Sequence, residues 1–143
     1  MPSETPSPLI NEDRREQFSK WLQTASFEKF ASGIHSCNDK ELGRRVWDLL
    51  VEGGIYKEVF LPDSVGNIPK LITKGFEYSA WRTESSSQFK SKAGSGDLIV
   101  ISGTPRLGSS PVLAPGSISR VSNEDVVYPP MDCIYVSNAQ RKD

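Results

Sequence analysis

The stretch VWDLLVEGGI, residues 46–55, divides the chain into two regions with different sequence patterns. Before Gly53, apolar residues recur at the spacing of helical turns. After Gly54, short runs rich in β-branched and aromatic residues are separated by Gly, Pro and Ser. Helices followed by strands, with no helical pattern between those strands, are typical of an α+β domain with a mostly antiparallel sheet. We therefore predict an α+β fold.

Two N-terminal helices are predicted before the glycine pair. Asn11 precedes two acidic residues, which is the pattern of an N-cap followed by carboxylates at the positive end of the helix dipole. Apolar residues continue at helical spacing over 18–31, with a phase shift that predicts a kink or a second short helix near Ser26. A further helix is predicted over about 39–52. Its buried face would carry Leu42, Val46, Leu49 and Leu50.

The region after Gly54 has the composition of short strands separated by turns. We predict five to seven strands in a mostly antiparallel sheet, packed as a sandwich or curled into a small barrel, with the two helices covering one face. Residues 85–95, rich in Ser, Lys and Gly, are predicted to form a long exposed loop. The segments with strand composition are 55–61, 68–73, 76–82, 97–102, 118–121, 126–128 and 133–136.

Length and composition favour one soluble domain. A chain of 143 residues, 36% apolar and 24% charged, is long enough to bury a hydrophobic core of its own. We predict a flexible Pro/Ser-rich tail at 1–10 and a single α+β domain at 11–143, with a helical part at 11–53 and a β-rich part at 55–137. The sequence shows no signal peptide or transmembrane segment, so we expect a cytoplasmic or otherwise intracellular protein that contacts no membrane.

Charge and cysteine content exclude some classes of protein. With 17 Lys and Arg against 18 Asp and Glu, the net charge of −1 argues against a protein that coats duplex nucleic acid. Any nucleic-acid site is therefore expected to be local. Cys37 and Cys133 are too few to form a disulfide framework, and the sequence leaves open whether they pair with each other.

The basic and aromatic segment at 70–92 is the strongest candidate for binding. Basic side chains can hold phosphates while aromatic rings stack on unpaired bases. Phe76 and Tyr78 are two residues apart, so they would project from the same face of a strand. In the alternative interpretation both rings face the core and the lysines only keep the surface soluble. The candidate binding residues are Lys74, Phe76, Tyr78, Trp81, Arg82, Lys90 and Lys92.

Residues 74–81, KGFEYSAW, follow part of the aromatic strand signature of RNA-recognition motifs. Residues 134–138, IYVSN, have some likeness to the second, shorter strand signature of that family. In the family the shorter signature precedes the longer one, whereas here it follows. Glu77 also places a negative charge where the family has a small residue. The chain is therefore not assigned to this family.

Catalytic patterns in the sequence are incomplete. His35 and Cys37 are possible metal ligands or an activated thiol pair, but a zinc site needs about four ligands and few others are present. Ser87 and Lys90 have a Ser-x-x-Lys spacing, but they stand in a predicted loop without the companion motifs of penicillin-binding enzymes. We interpret His35 as a loop residue. We predict no catalytic residues, no metal and no cofactor, and we favour a protein that is not an enzyme.

Three functions are consistent with these observations. The first is a non-enzymatic protein-interaction or assembly module that binds a partner protein, or itself, through a sheet edge or the aromatic strand at 76–82. The alternative is a protein that binds single-stranded RNA or DNA through the basic and aromatic segment at 70–92. The third is an unrecognised small hydrolase or transferase that uses His35 or Ser87.

Overall fold

A computed structural model describes residues 10–55, 77–92 and 94–137. Two predicted strands, at 55–61 and 68–73, lie outside the described residues except for Ile55. The helices of the described part are α1 (Glu12–Leu22) and α2 (Leu42–Val46), and α2 continues as a π-helical segment (Trp47–Val51). The strands are β1 (Phe27–Ala31), β2 (Ile34–Cys37), β3 (Glu77–Thr83), β4 (Ser95–Gly103), β5 (Arg106–Leu107), β6 (Ile118–Ser122), β7 (Val127–Tyr128) and β8 (Met131–Ser137).

Six strands form one antiparallel sheet in the order β1-β2-β3-β8-β4-β6, and β5 pairs with β7 in a separate two-stranded ribbon. The prediction of an α+β fold with a mostly antiparallel sheet is confirmed. The barrel alternative is wrong, because the sheet is open: among the described residues, β1 and β6 are its outer strands, and they do not pair with each other. The strands predicted at 76–82, 97–102, 118–121, 126–128 and 133–136 correspond to β3, β4, β6, β7 and β8.

The first predicted helix begins where the sequence indicates. The Asn11 side chain accepts a hydrogen bond from the Arg14 backbone N–H at 3.1 Å, which satisfies one of the free donors of the first helical turn. The second helix is shorter than predicted at its N-terminus, since α2 begins at Leu42. Its predicted apolar face is buried, and Gly54 ends the helical region with a φ of 82°.

Residues 27–37 form a β-hairpin, so the predicted continuation of helix to Ala31, with a kink or a second short helix near Ser26, is wrong. Phe27 and Phe30 have helical spacing, but Ser32 and Gly33 form a tight connection between β1 and β2. Gly33 has a φ of 75°, a backbone conformation that glycine adopts without steric cost. In sequence, the hairpin therefore lies between α1 and α2, and its two strands extend one side of the sheet. The two helices are thus not consecutive elements at the N-terminus.

The sheet separates two hydrophobic clusters. One cluster joins the helices to the strands and includes Leu22, Leu50 and Ile134; we call this side of the sheet the helix face. The other cluster lies on the opposite side and includes Phe89 and Tyr135; we call this side the groove face. Successive strand residues point to alternate faces, so each strand contributes side chains to both clusters.

The two cysteines lie on opposite faces of the sheet and do not form a disulfide. Cys37 belongs to the cluster on the helix face and Cys133 to the cluster on the groove face. Both cysteines are free and buried.

Candidate binding groove

A groove of about 480 Å³ opens on the groove face of the sheet, next to β1, β2 and β3. This volume is within the range of about 300–1,000 Å³ that is usual for small-ligand sites. Its wall is mostly apolar and aromatic, with several hydroxyl groups. The lining residues are Phe30, Ile34, Ser79, Trp81, Thr83, Ser86, Ser87, Gln88, Phe89, Lys90 and Tyr135. We call this site the aromatic groove.

Four aromatic rings run in sequence along the groove. The ring of Phe30 meets Trp81 edge-on, with 5.1 Å between centroids and an interplanar angle of 84°. Trp81 meets Phe89 at 6.3 Å and 79°, and Phe89 stacks on Tyr135 at 5.2 Å and 26°. These separations are those of favourable aromatic pairs. The rings therefore support one another and form a continuous wall whose outer end, Phe30, is 70% exposed.

The loop that carries Phe89 is held in place by hydrogen bonds to distant residues. Ser87 exchanges backbone hydrogen bonds with Val127 at 2.8 and 3.0 Å. The backbone N–H of Ser91 donates to the side chain of Asn123 at 3.0 Å, and the Asn123 amide donates back to the Ser91 carbonyl at 2.9 Å. The loop is thus fixed against the chain around β7, and this anchoring keeps Phe89 buried beneath Trp81. The prediction of an exposed loop at 85–95 is wrong for Phe89, which belongs to the core.

Three buried hydroxyl groups at the groove have no hydrogen-bond partner among the described residues. They belong to Thr83, Ser87 and Tyr135. Thr83 is 1% and Tyr135 6% exposed, so these hydroxyls have also lost most of their access to water. An unpartnered buried polar group costs free energy, about 1–3 kcal/mol each. By contrast, the Ser79 hydroxyl accepts a hydrogen bond from the Trp81 indole N–H at 2.8 Å.

A second cavity, of about 240 Å³, adjoins the aromatic groove. The two cavities share Ser79, Lys90 and Tyr135 in their walls. The second cavity is lined in addition by Tyr78, Ser91 and Ser137, and it is the more polar of the two. Lys90 is exposed and is the one charged residue that lines either cavity in the described part of the chain. The combined site therefore has an aromatic end near Phe30 and a polar, positively charged end near Lys90.

The predicted binding residues on β3 are divided between the two faces of the sheet. Trp81 lies in the aromatic groove, whereas Tyr78 packs on the helix face. The Tyr78 hydroxyl lies against Gly43 of α2, where a Cβ atom would come within 2.7 Å of it. Burial raises the pKa of Tyr78 above its usual value. Trp81 and Tyr78 therefore do not lie on one stacking surface, because strand geometry points them to opposite faces.

Arg82 is engaged in internal contacts. Its guanidinium donates two hydrogen bonds to the Asp132 carboxylate, at 2.9 and 3.1 Å, and lies over the Phe27 ring at 4.4 Å. The hydrogen bonds to the Asp132 carboxylate raise the pKa of Arg82 above its usual value. This fork geometry uses the donors that a phosphate would need. Lys90 and Lys92 are exposed, and Lys74 and Phe76 lie outside the described residues.

The possible catalytic residues do not converge. His35 lies in β2 opposite Arg82, on the helix face, so the interpretation of His35 as a loop residue is wrong. Ser87 lines the aromatic groove on the opposite side of the sheet. Burial is the main cause that raises the pKa of the Cys37 thiol, which is the reverse of the change that activates a cysteine nucleophile.

The part of the chain that the structure describes contains neither a metal-binding cluster nor a membrane-spanning helix. Ranges 10–55, 77–92 and 94–137 contain no group of three or more His, Cys, Asp or Glu side chains placed to hold a metal ion. Within the same ranges, no helix has the length and apolar character needed to cross a bilayer.

Comparison with known proteins gives no family. No protein family model matches the chain, and neither a curated protein nor a solved structure is significantly similar to it. The chemistry of the aromatic groove is therefore the basis for a functional proposal.

Several groove residues were missed by sequence reasoning. The sequence pattern predicts helix at Phe30, and it places Tyr135 in the predicted strand 133–136 without indicating which face of the sheet its ring occupies. The Ser32-Gly33 pair between two runs with bulky residues is a hairpin signal that would have placed Phe30 on an edge strand. The position of Tyr135 beside Ser79 depends on the pairing of β3 with β8, for which the sequence has no local signal.

Proposed function

We propose that this protein is a non-enzymatic interaction module that binds an extended segment of a partner protein along β1 and takes one bulky apolar side chain of that segment into the aromatic groove. The observation that carries the proposal is the position of Phe30. It is 70% exposed, lies on the outer strand of the sheet and forms the open end of the aromatic groove. Exposed aromatic residues beside a pocket are typical anchors of protein interfaces.

The outer strand β1 supports this mode of binding. It pairs with β2 on one side, and among the described residues no strand pairs with its other side. Four of its five residues are exposed. An uncovered strand edge can pair with an extended segment of another chain, and pockets beside the edge then select its side chains. Phe30 connects the two features because it belongs both to β1 and to the groove wall.

Selection from a library of random displayed peptides tests the proposal. We expect wild-type protein to enrich peptides with a recurrent aromatic or large aliphatic residue. The Phe30→Ser variant should bind those peptides at least about ten-fold more weakly, since anchors of this kind contribute about 2 kcal/mol or more. Val112→Ser is the matched control, because Val112 is 53% exposed and does not line the groove. Equal binding by Phe30→Ser and wild type would contradict the proposal.

Self-assembly is one form of the proposed interaction, and it can be distinguished experimentally from binding to a different protein. If a second copy of the chain supplies the added strand, sedimentation velocity should show dimers that dissociate in Phe30→Ser and persist in Val112→Ser. If the protein is monomeric at all concentrations, the segment that pairs with β1 belongs to a different protein.

Single-stranded nucleic acid is the second candidate ligand. Exposed Phe30 and half-buried Trp81 could stack on bases, with Lys90 and Lys92 near phosphates. The pairing of Arg82 with Asp132 and the inward position of Tyr78 weigh against this function, because they remove two of the predicted contacts. Fluorescence anisotropy with labelled RNA and DNA at low and moderate salt tests it. Binding that weakens with salt and is lost in a Lys90→Gln, Lys92→Gln double variant would favour nucleic acid over a protein partner.

A further inference from the structure

We propose that the aromatic groove selects an aromatic side chain that stands next to a carboxylate in the partner segment. This inference rests on the proposed function and specifies the chemistry of the segment. It is based on the two different ends of the site: rings at one end, and Lys90 with hydroxyl groups at the other.

The ring requirement follows from the shape and composition of the wall. Phe30 and Trp81 are perpendicular to each other, and Trp81 is nearly perpendicular to Phe89. Edge and face positions are therefore both presented to an incoming group. An added ring can continue this arrangement, because edge-to-face and offset contacts are the favoured geometries of aromatic pairs. An aliphatic side chain would fill space but would gain none of these oriented contacts.

The charge requirement follows from Lys90. It lines both cavities, and it makes no ion pair with an acidic side chain of the described residues. Its ammonium group is therefore available to a carboxylate that arrives with the ring. Arg82, on the preceding strand β3, is already paired with Asp132 on the helix face.

The buried hydroxyls provide independent support for a polar ligand group. The oxygens of Thr83 and Tyr135 are buried in residues that are 1% and 6% exposed, and neither has a partner within the described part of the chain. Both residues line the aromatic groove, and Tyr135 also lines the cavity that contains Lys90. A ligand with a carboxylate or a ring N–H can satisfy these hydroxyls, whereas a purely hydrocarbon ligand cannot.

A reversal of charge at position 90 tests the inference. Displayed peptides selected on wild-type protein should carry Asp or Glu next to the aromatic residue. Selection on Lys90→Glu should replace this preference by Lys or Arg, while Lys92→Glu should select the same peptides as wild type. An aromatic preference without any acidic neighbour in wild type would overturn the inference and leave the proposed function intact.

A pair of small probes tests the same chemistry without strand pairing. The probes are 2-naphthylacetate and its neutral amide, which share a ring and differ in charge; binding is followed by shifts of the Trp81 indole N–H in NMR spectra. We expect the anion to bind roughly two- to five-fold more tightly, as for an exposed ion pair, and this difference to disappear in Lys90→Gln. Equal binding of both probes would overturn the charge requirement, and binding of neither would overturn the ring requirement as well.

The outcomes separate the two proposals. If peptides are selected and Phe30→Ser abolishes their binding, the proposed function stands whatever the probes show. If the anionic probe binds at micromolar concentration while no peptide is enriched, the site takes a free aromatic acid, and both the partner segment and its proposed chemistry are rejected.

Discussion

The helix face and the groove face of the sheet are covered to different extents. On the helix face, α1, α2 and the π-helical segment bury side chains such as Leu50 completely against the strands. On the groove face, a loop and the short β5–β7 ribbon cover β4, β6 and β8, but leave Trp81 half-buried and Phe30 exposed. The comparison shows that one sheet combines a closed core with an open site, because alternate residues of β3 serve different faces.

Because one face is closed and the other open, substitutions on the helix face should affect stability and those on the groove face should affect binding. Changes on the helix face should lower stability, since they create cavities or unpaired charges in a closed core. Changes at the open end of the groove should alter binding with little effect on stability, because exposed side chains contribute little to folding.

The largest expected effect is that of Leu50→Ala on the helix face. Leu50 is fully buried, so its truncation should lower the free energy of unfolding by about 2–5 kcal/mol through lost burial and a cavity. Chemical denaturation monitored by circular dichroism measures this change. Phe30→Ser is the contrasting variant on the groove face; it loses one exposed ring pair, so the expected change is about 0.5–1.5 kcal/mol. Similar losses for both variants would remove the distinction between the faces.

Arg82→Met should have the next largest effect. It leaves the Asp132 carboxylate, whose side chain is only 8% exposed, without its two charged hydrogen bonds. Because the Arg82 side chain is 31% exposed, the pair is only partly buried, and the loss should be about 2–3 kcal/mol, below the cost for a fully buried pair. Denaturation of Arg82→Met, Asp132→Asn and the double variant measures the coupling between the two residues. If Arg82→Met kept wild-type stability but lost affinity for single-stranded RNA, Arg82 would be a ligand contact instead of a structural one.

A smaller effect on stability is expected from Gly96→Ala, which tests whether Tyr135 contributes to binding in the aromatic groove. A Cβ atom at position 96 would lie 2.6 Å from the Cζ and hydroxyl oxygen of Tyr135 and 2.7 Å from the backbone carbonyl oxygen of Val136, so both the Tyr135 ring and the paired backbone of β4 and β8 must shift. Overpacking of this kind costs about 1–3 kcal/mol. The displaced ring also lies in both cavity walls, so probe binding in the aromatic groove should weaken. Ser95→Ala, one residue away, serves as the control and should change neither property. Unchanged binding by Gly96→Ala would exclude Tyr135 from the site.

The sequence predicts the parts of this fold that depend on local patterns. The N-cap at Asn11, the buried face of the second helix and the strand segments after residue 76 all have local signals, and the structure has them. The hairpin was not predicted, because the spacing of Phe27 and Phe30 is compatible with a helix and the deciding signal is only the short turn at Gly33.

The candidate site was predicted less well than the fold. Trp81 was identified from its aromatic and basic surroundings, but Arg82 beside it proved to be an internal ion-pair partner. Which face a strand residue occupies is decided by packing against elements distant in sequence, and the partner of Arg82 is fifty residues away. The aromatic groove itself joins residues from β1, β3, β8 and a loop, so no local motif describes it.

The smallest expected effect concerns Asp39, at the base of the hairpin that carries Phe30. Backbone N–H groups of Glu41 and Ser26 donate to its carboxylate at 3.0 and 3.1 Å, and these bonds lower the pKa of Asp39. Because the folded-state pKa is lowered, this contribution to stability is present above the unfolded pKa and is lost as pH falls through the folded-state pKa. Asp39→Ala should therefore have a slightly lower melting temperature than wild type at pH 7. The difference between the two melting temperatures should become smaller at acidic pH, as measured by calorimetry. A gap that stays constant with pH would mean that Asp39 acts through packing and not through its charge.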